Sequence, residues 1–150
     1  MNTDTGAWLA QLIRSEQESL IVATVAVVRA TVPEYNRLAD AELRTIFDQA
    51  YTVFAHSLET DDLAPWRSYF QAALAARARA GIAPAGIIPT IEIVQKQVLA
   101  LAERRLPADS AAIAVSRSIL RGWANRIRLL ISELNLAQLT GTLPPADPPE

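Results

Sequence analysis

YFQAALAARARAGIAPAGIIPTIEIVQKQVLALAERRL, residues 69–106, holds a helix stop and a helix restart a few positions apart. Gly81 is the expected stop, because glycine alone enters the left-handed conformation after a last helical turn without steric cost. Pro84 is the expected restart: its missing N–H is no loss at the first helical position, and its fixed φ suits that place. Beyond it Ile87, Ile91, Val94, Val98 and Leu101 recur at spacings of four and three, one face of a helix. Ile88, Ile93, Leu99 and Ala102 widen that face over most of the circumference, which predicts a helix in the middle of a domain. Arg77, Arg79, Arg104 and Arg105 mark the polar edges of the stretch. Pro89 falls in the second turn and should bend the helix or delay its start.

Upstream, Thr60-Asp61-Asp62 reads as a turn with caps, and Pro65 sits in the opening turn of the next helix. In that helix Leu63, Trp66, Phe70, Ala73 and Leu74 face inward. Before it, Leu43, Ile46, Phe47, Ala50, Tyr51, Phe54 and Leu58 form the cleanest amphipathic stripe, with Asp40 as N-cap and Glu42 in the first turn. The chain opens on a helix starting at Asp4 or Thr5, with Trp8, Leu12, Ile13 and Leu20 leading into the apolar run LIVATVAVV, residues 20–28. That run is rich in β-branched residues. Its flanks keep helical period without a turn signal, and no other segment offers a strand to pair with, so one continuous helix is expected, ending by Thr31 before Pro33.

Downstream, Leu106-Pro107 breaks the chain, and Asp109 is the expected cap of a long last helix reaching about Leu139. Its stripe includes Leu120, Trp123, Ile127, Leu130 and Leu134. Such regularity can serve as a seam between two chains. Thr140-Gly141 ends it, and LPPADPPE follows as a proline-rich tail or linker. The expected organisation is one all-α domain of five to six helices over residues 1–139, with residues 140–150 as the tail.

Composition agrees with a globular chain, at 51% hydrophobic and 20% charged residues over 150 positions. The net charge of −2 hides a balance of −6 over residues 1–62 and +4 over residues 63–150. Opposed halves suggest attraction between them or to a second copy, and not a nucleic acid partner, which calls for a continuous basic stripe. The nine-residue apolar run is too short for a bilayer that needs roughly 20 residues. Cysteine is absent, so disulfides, thiolate metal sites and cysteine nucleophiles are excluded, and a cytoplasmic location is expected. The single histidine, His56, lies among Ser57, Glu59, Asp61 and Asp62, poor surroundings for a haem ligand. Scattered glycines form no phosphate loop, and the carboxylates do not converge on an apolar pocket. No enzyme, cofactor or metal is expected.

Two patches carry a likeness. Arg29, Pro33 and Tyr35, followed by Leu38 and Glu42-Leu43, and then Arg77-Ala78-Arg79-Ala80-Gly81-Ile82 with Pro84, resemble the N-terminal sensor domain of RsbR-type stressosome proteins. The likeness spans most of residues 5–139. It implies a globin-like helical fold without haem, dimeric, acting as a sensory or protein-interaction module in signal transduction. Arg29, Pro33, Tyr35, Arg77, Ala80 and Gly81 carry over as structural residues. In that family an output domain usually follows, and none is read here, so a signalling partner or a missing output domain is expected. The second reading is a carrier or sensor of an apolar, lipid-like ligand, with haem the weaker candidate.

Overall fold

The computed structural model describes residues 3–140, so the proline-rich tail, past Thr140, lies outside the described residues. Six α-helices and a short 3₁₀ turn follow one another, with no strand among the described residues. They are α1 (Thr3–Ser15), α2 (Gln17–Thr31), the 3₁₀ turn (Pro33–Arg37), α3 (Asp40–Thr60), α4 (Ala64–Arg79), α5 (Pro84–Arg105) and α6 (Ala111–Thr140). The all-α fold with a long C-terminal helix is the one expected from the periodicities.

The expected first helix is in fact two. Glu16 leaves helical geometry (φ −118°, ψ 19°). Its N–H is shared between Leu12 O at 3.1 Å and Ile13 O at 3.2 Å, while the Ser15 hydroxyl also donates to Leu12 O at 3.1 Å. A side-chain hydroxyl competing for a ladder carbonyl bends a helix without glycine or proline. The break re-aims the chain, and both pieces pack on α3. The run 20–28 is helical, as expected, but only one face is covered: Leu20, Ile21, Thr24 and Val28 are buried, whereas Val22 is 53% exposed.

Two caps differ from expectation by one residue. Ala39, not Asp40, is the N-cap of α3, and its N–H donates to Glu42 Oε1 at 2.9 Å. Asp40 is thereby free to accept from Arg29. At α6 the Ser110 hydroxyl, not Asp109, accepts from Ile113 N at 3.3 Å. The start of α5 is not delayed by Pro89; it begins at Pro84 behind an extended Ala83. Nor is α5 buried all round. Ile87, Ile91, Val94, Val98 and Leu101 are covered, while Ile88, Ile93 and Leu99 are half-buried and Glu92 and Lys96 are exposed. It still touches four other helices, α1, α2, α4 and α6.

Backbones come close where α1 crosses α3. A Cβ on Gly6 would come within 2.7 Å of Leu58 O, so the crossing depends on glycine. Between α2 and α3 the hydroxyls of Thr24 and Tyr51, both fully buried, share a 2.6 Å hydrogen bond. Burial pushes the Tyr51 phenol well up, and the Thr24 bond only partly opposes this.

The charge asymmetry is used mostly within each half. Of the eight ion pairs among the described residues, only Arg105–Glu16 (2.7 Å) and Arg126–Asp61 (3.1 Å) join the acidic half to the basic one. Arg14–Glu59, Arg29–Asp40 and Arg44–Glu18 stay in the first half, and Arg67–Glu133, Arg117–Glu103 and Arg128–Glu92 in the second.

Candidate functional site

Two corners of the chain meet to form the site. The first joins α2 to α3. Arg29, in the last turn of α2, sends Nη1 to Tyr35 O at 3.2 Å and Nη2 to Leu38 O at 2.5 Å. Nη2 and Nε also donate to Asp40 Oδ1, at 2.8 and 3.2 Å. One guanidinium thus fixes the helix end, the 3₁₀ turn and the start of α3, which suits its rigid fork of donors. Pro33 opens the turn, and Tyr35 within it is 1% exposed.

The second corner joins α4 to α5. Gly81 has φ +83°, its N–H reaching Ala78 O at 3.0 Å, while Ile82 N reaches Arg77 O at 2.8 Å. That pair of bonds is the Schellman stop, with glycine at the left-handed position. Ala80 is the half-buried residue before it. Across the junction the Arg37 side chain lies over Gly81, where a Cβ would stand 2.2 Å from Nη1. Glu34 likewise approaches Gly86, at 3.4 Å from a Cβ built there. Residues 44 and 52 positions apart in sequence are therefore neighbours.

Arg77 sits at the centre of this junction. It was expected on a polar edge; instead it is 8% exposed, because it continues the buried phase of Trp66, Phe70, Ala73 and Leu74. Its Nη2 donates to the Tyr69 hydroxyl at 3.2 Å, and that hydroxyl donates to Ile46 O at 3.4 Å. The Tyr35 hydroxyl lies close enough to act on its charge without a well-formed hydrogen bond. Burial works against the Arg77 charge, but the Tyr69 and Tyr35 oxygens outweigh it and hold the guanidinium ionised. For Tyr69, burial dominates and pushes the phenol up, with Arg77 opposing.

Next to Arg77 runs a narrow apolar crevice between α3, α4, α5 and α6, with a free volume of about 20 Å³, room for about one water. Its walls carry Phe47, Phe54, Trp66, Phe70, Ile91 and Ile127. Trp66 stacks on Phe70 with centroids 5.3 Å apart and meets Tyr69 edge-on at 5.6 Å. Trp66 Nε1 and Arg77 Nε are both buried without a hydrogen-bond partner. A shallow groove outside, walled by Leu38, Glu42, Ala76 and Ala80, shares Ile46 and Arg77 with the crevice.

The motif residues Arg29, Pro33, Tyr35, Arg77, Ala80 and Gly81 thus lie at the two facing corners. Leu120, Trp123, Ile127, Leu130 and Leu134, expected as a seam between chains, are each 3% exposed or less against the chain's own helices. Regular spacing marks a buried face and does not say what buries it. His56 is exposed near the end of α3. Among the described residues no group of three or more His, Cys, Asp or Glu could hold a metal ion. No helix among them is long and apolar enough to cross a membrane. Sequence reasoning missed Tyr69 and the buried character of Arg77, although Arg77 stands in phase with the stripe of α4.

A family model described as RsbT co-antagonist protein rsbRD N-terminal domain matches residues 18–134. No curated protein and no solved structure matches the chain.

Proposed function

The chain belongs to the RsbT co-antagonist protein rsbRD N-terminal domain family, a family of stressosome signalling sensor domains, and from that premise we propose how it works. It is a haem-free, globin-like module without enzymatic activity, dimeric and cytoplasmic. It regulates a signalling partner or an output domain, with the proline-rich tail as the linker. The observation that carries this reading is the two-faced last helix. The inner face of α6 is buried core, and its residues Ala124 and Ile127 wall the crevice. Its outer face carries Leu129 and Leu136, 72% and 61% exposed, a heptad apart and in line with Gly122. A helix with one face on the sensing interior and an apolar seam outside suits a lever between two copies.

The dimer seam of this proposal therefore lies on the outer face of α6, since the inner stripe is already covered within the chain. Analytical ultracentrifugation of the wild type and of Leu129→Glu/Leu136→Glu tests it. The expected result is a dimer that becomes a well-folded monomer in the double variant. A monomeric wild type, or a variant that stays dimeric, would refute the seam. Charged residues at Trp123 or Ile127 should instead unfold the domain, because those positions are core.

A further inference from the structure

Among the described residues Arg77 is the only charged side chain in the buried class, and none of the eight ion pairs includes it. A guanidinium in such a place normally faces a carboxylate, because an uncompensated buried charge is strongly disfavoured. Here Nη2 meets the neutral Tyr69 phenol, and Nε has no partner. The crevice on its inner side has room for about one water, so a carboxylate can approach only from outside. There Arg77 lines the outer groove, which has a free volume of about 470 Å³ and is open to solvent. Leu38, Ile46, Ala76 and Ala80 give the groove apolar walls. Its ends belong to the two corners, since Leu38 caps the 3₁₀ turn and Ala80 caps α4. Glu42 on the rim is already held by the Ala39 N–H. Arg37 and Arg79, next in sequence to Leu38 and Ala80, enter none of the eight ion pairs.

The end of α6 comes to the same place. Arg126–Asp61 and Arg67–Glu133 join residues 65 and 66 positions apart, so α6 runs beside α4 in the same direction. By that offset α6 stops at Thr140 level with Leu74, less than one turn before Arg77. Residues 141–150, GTLPPADPPE, follow, with Asp147 and Glu150 and no lysine or arginine. A stretch of that length reaches roughly 33 Å, against roughly 8–10 Å between the axes of packed helices. We propose that this tail docks in the outer groove of its own chain, with Leu143-Pro144-Pro145 on the apolar walls and Asp147 facing Arg77. A proline-rich segment loses little conformational freedom on docking. The carboxylate supplies the counter-charge that the helices leave out. Because the groove ends are the two corners, a shift at either corner holds or releases the tail. The docking stands on the groove and the tail; only its meaning, control over what α6 leads to, rests on the sensor reading.

The chain has no cysteine, so an introduced pair can close in only one way. Ala76 is an exposed residue of the groove wall, and Ala78 is exposed on the opposite face of the same turn. Ala76→Cys/Ala146→Cys and Ala78→Cys/Ala146→Cys are made in the whole chain and oxidised at low protein concentration. Thiol alkylation and mass spectrometry time the closure of the intrachain disulfide. The groove pair should close at least about tenfold faster, since docking raises its effective concentration. Asp147→Asn in the same background should remove most of that advantage, as should high salt. Equal rates for the two pairs overturn the proposal, and so does a groove rate that Asp147→Asn leaves unchanged. A disulfide that joins two chains overturns it as well, by making a second copy the occupant. Sedimentation of the wild type separates the two readings: a dimer with equal closure rates removes only the docking, and a monomer with a fast groove pair removes only the dimeric lever.

Discussion

Replacing Arg29 by methionine keeps the length of the side chain and removes all of its donors. Leu38 O and Asp40 Oδ1 lose the Arg29 bond, and Tyr35 O loses one of two, keeping Leu38 N at 3.1 Å. They are not equivalent. The Asp40 side chain is 78% exposed, so its ion pair contributes about 0.2–1 kcal/mol and is screened by salt. The two carbonyls are part-buried and accept from a charged donor, a bond that contributes about 1.5–3 kcal/mol where water cannot replace it. The Arg29 side chain is itself 29% exposed, which lowers the total. We therefore expect Arg29→Met to cost about 2–4 kcal/mol and Asp40→Ala less than about 1 kcal/mol. For a chain of this size the first corresponds to a fall in Tm of about 5–15 °C. Urea unfolding followed by circular dichroism, in low and high salt, gives both values. Added salt should shrink the Asp40 effect and leave the Arg29 effect nearly unchanged. If Asp40→Ala is as destabilising as Arg29→Met, the corner is held by the ion pair and the assignment to the carbonyls is wrong.

Thr24→Val leaves the Tyr51 hydroxyl buried and unpaired, at a cost of about 1–3 kcal/mol, while adding Tyr51→Phe should recover most of it; additive single effects in a double-mutant cycle would refute the pairing. Gly81→Ala should destabilise by more than about 1 kcal/mol, because the left-handed φ and the overlying Arg37 both oppose a methyl group, and Arg37→Ala should relieve part of the loss in the same unfolding assay. The Arg14 and Arg67 guanidiniums hold the Glu59 and Glu133 carboxyls below their usual range. A depressed acid lends stability above its unfolded pKa and loses it as pH falls through the folded value. Thermal unfolding should therefore move to lower temperature on acidification through the carboxylate range. The change should be small and smaller still in salt, because both carboxylates are solvated.

The helices were legible because burial imposes a period, and α3 illustrates it. Of its seven expected inward residues, six are buried and Ile46 is half-buried. The Gly81 stop and Pro84 restart were legible for another reason: each residue type has only one inexpensive backbone place there. The break at Glu16 was not, since it comes from a serine hydroxyl and an N–H competing for one carbonyl, and nothing in the residue types forces that outcome. Caps moved by one residue because Ala39 needs only a backbone N–H for Glu42, and Ser110 is as good an acceptor as Asp109. What covers the stripe from Leu120 to Leu134 was not legible, since a regular apolar stripe looks the same whether its partner is the chain's own helix or another copy. Arg77 was misread by type: arginine suggests a surface, while its phase placed it inside.

That misreading matters for how a signal could travel. A ligand shifts a conformational equilibrium only by the difference in its affinity for the two states. Binding at an exposed arginine would change little beyond its own solvation. Arg77 is different, because the same side chain closes the crevice, touches Tyr69 and lies beside the buried Tyr35 of the other corner. Replacing it therefore disturbs both corners at once: Arg77→Met should lower the urea midpoint more than Arg79→Met at the neighbouring exposed arginine, and equal midpoints would separate Arg77 from the junction.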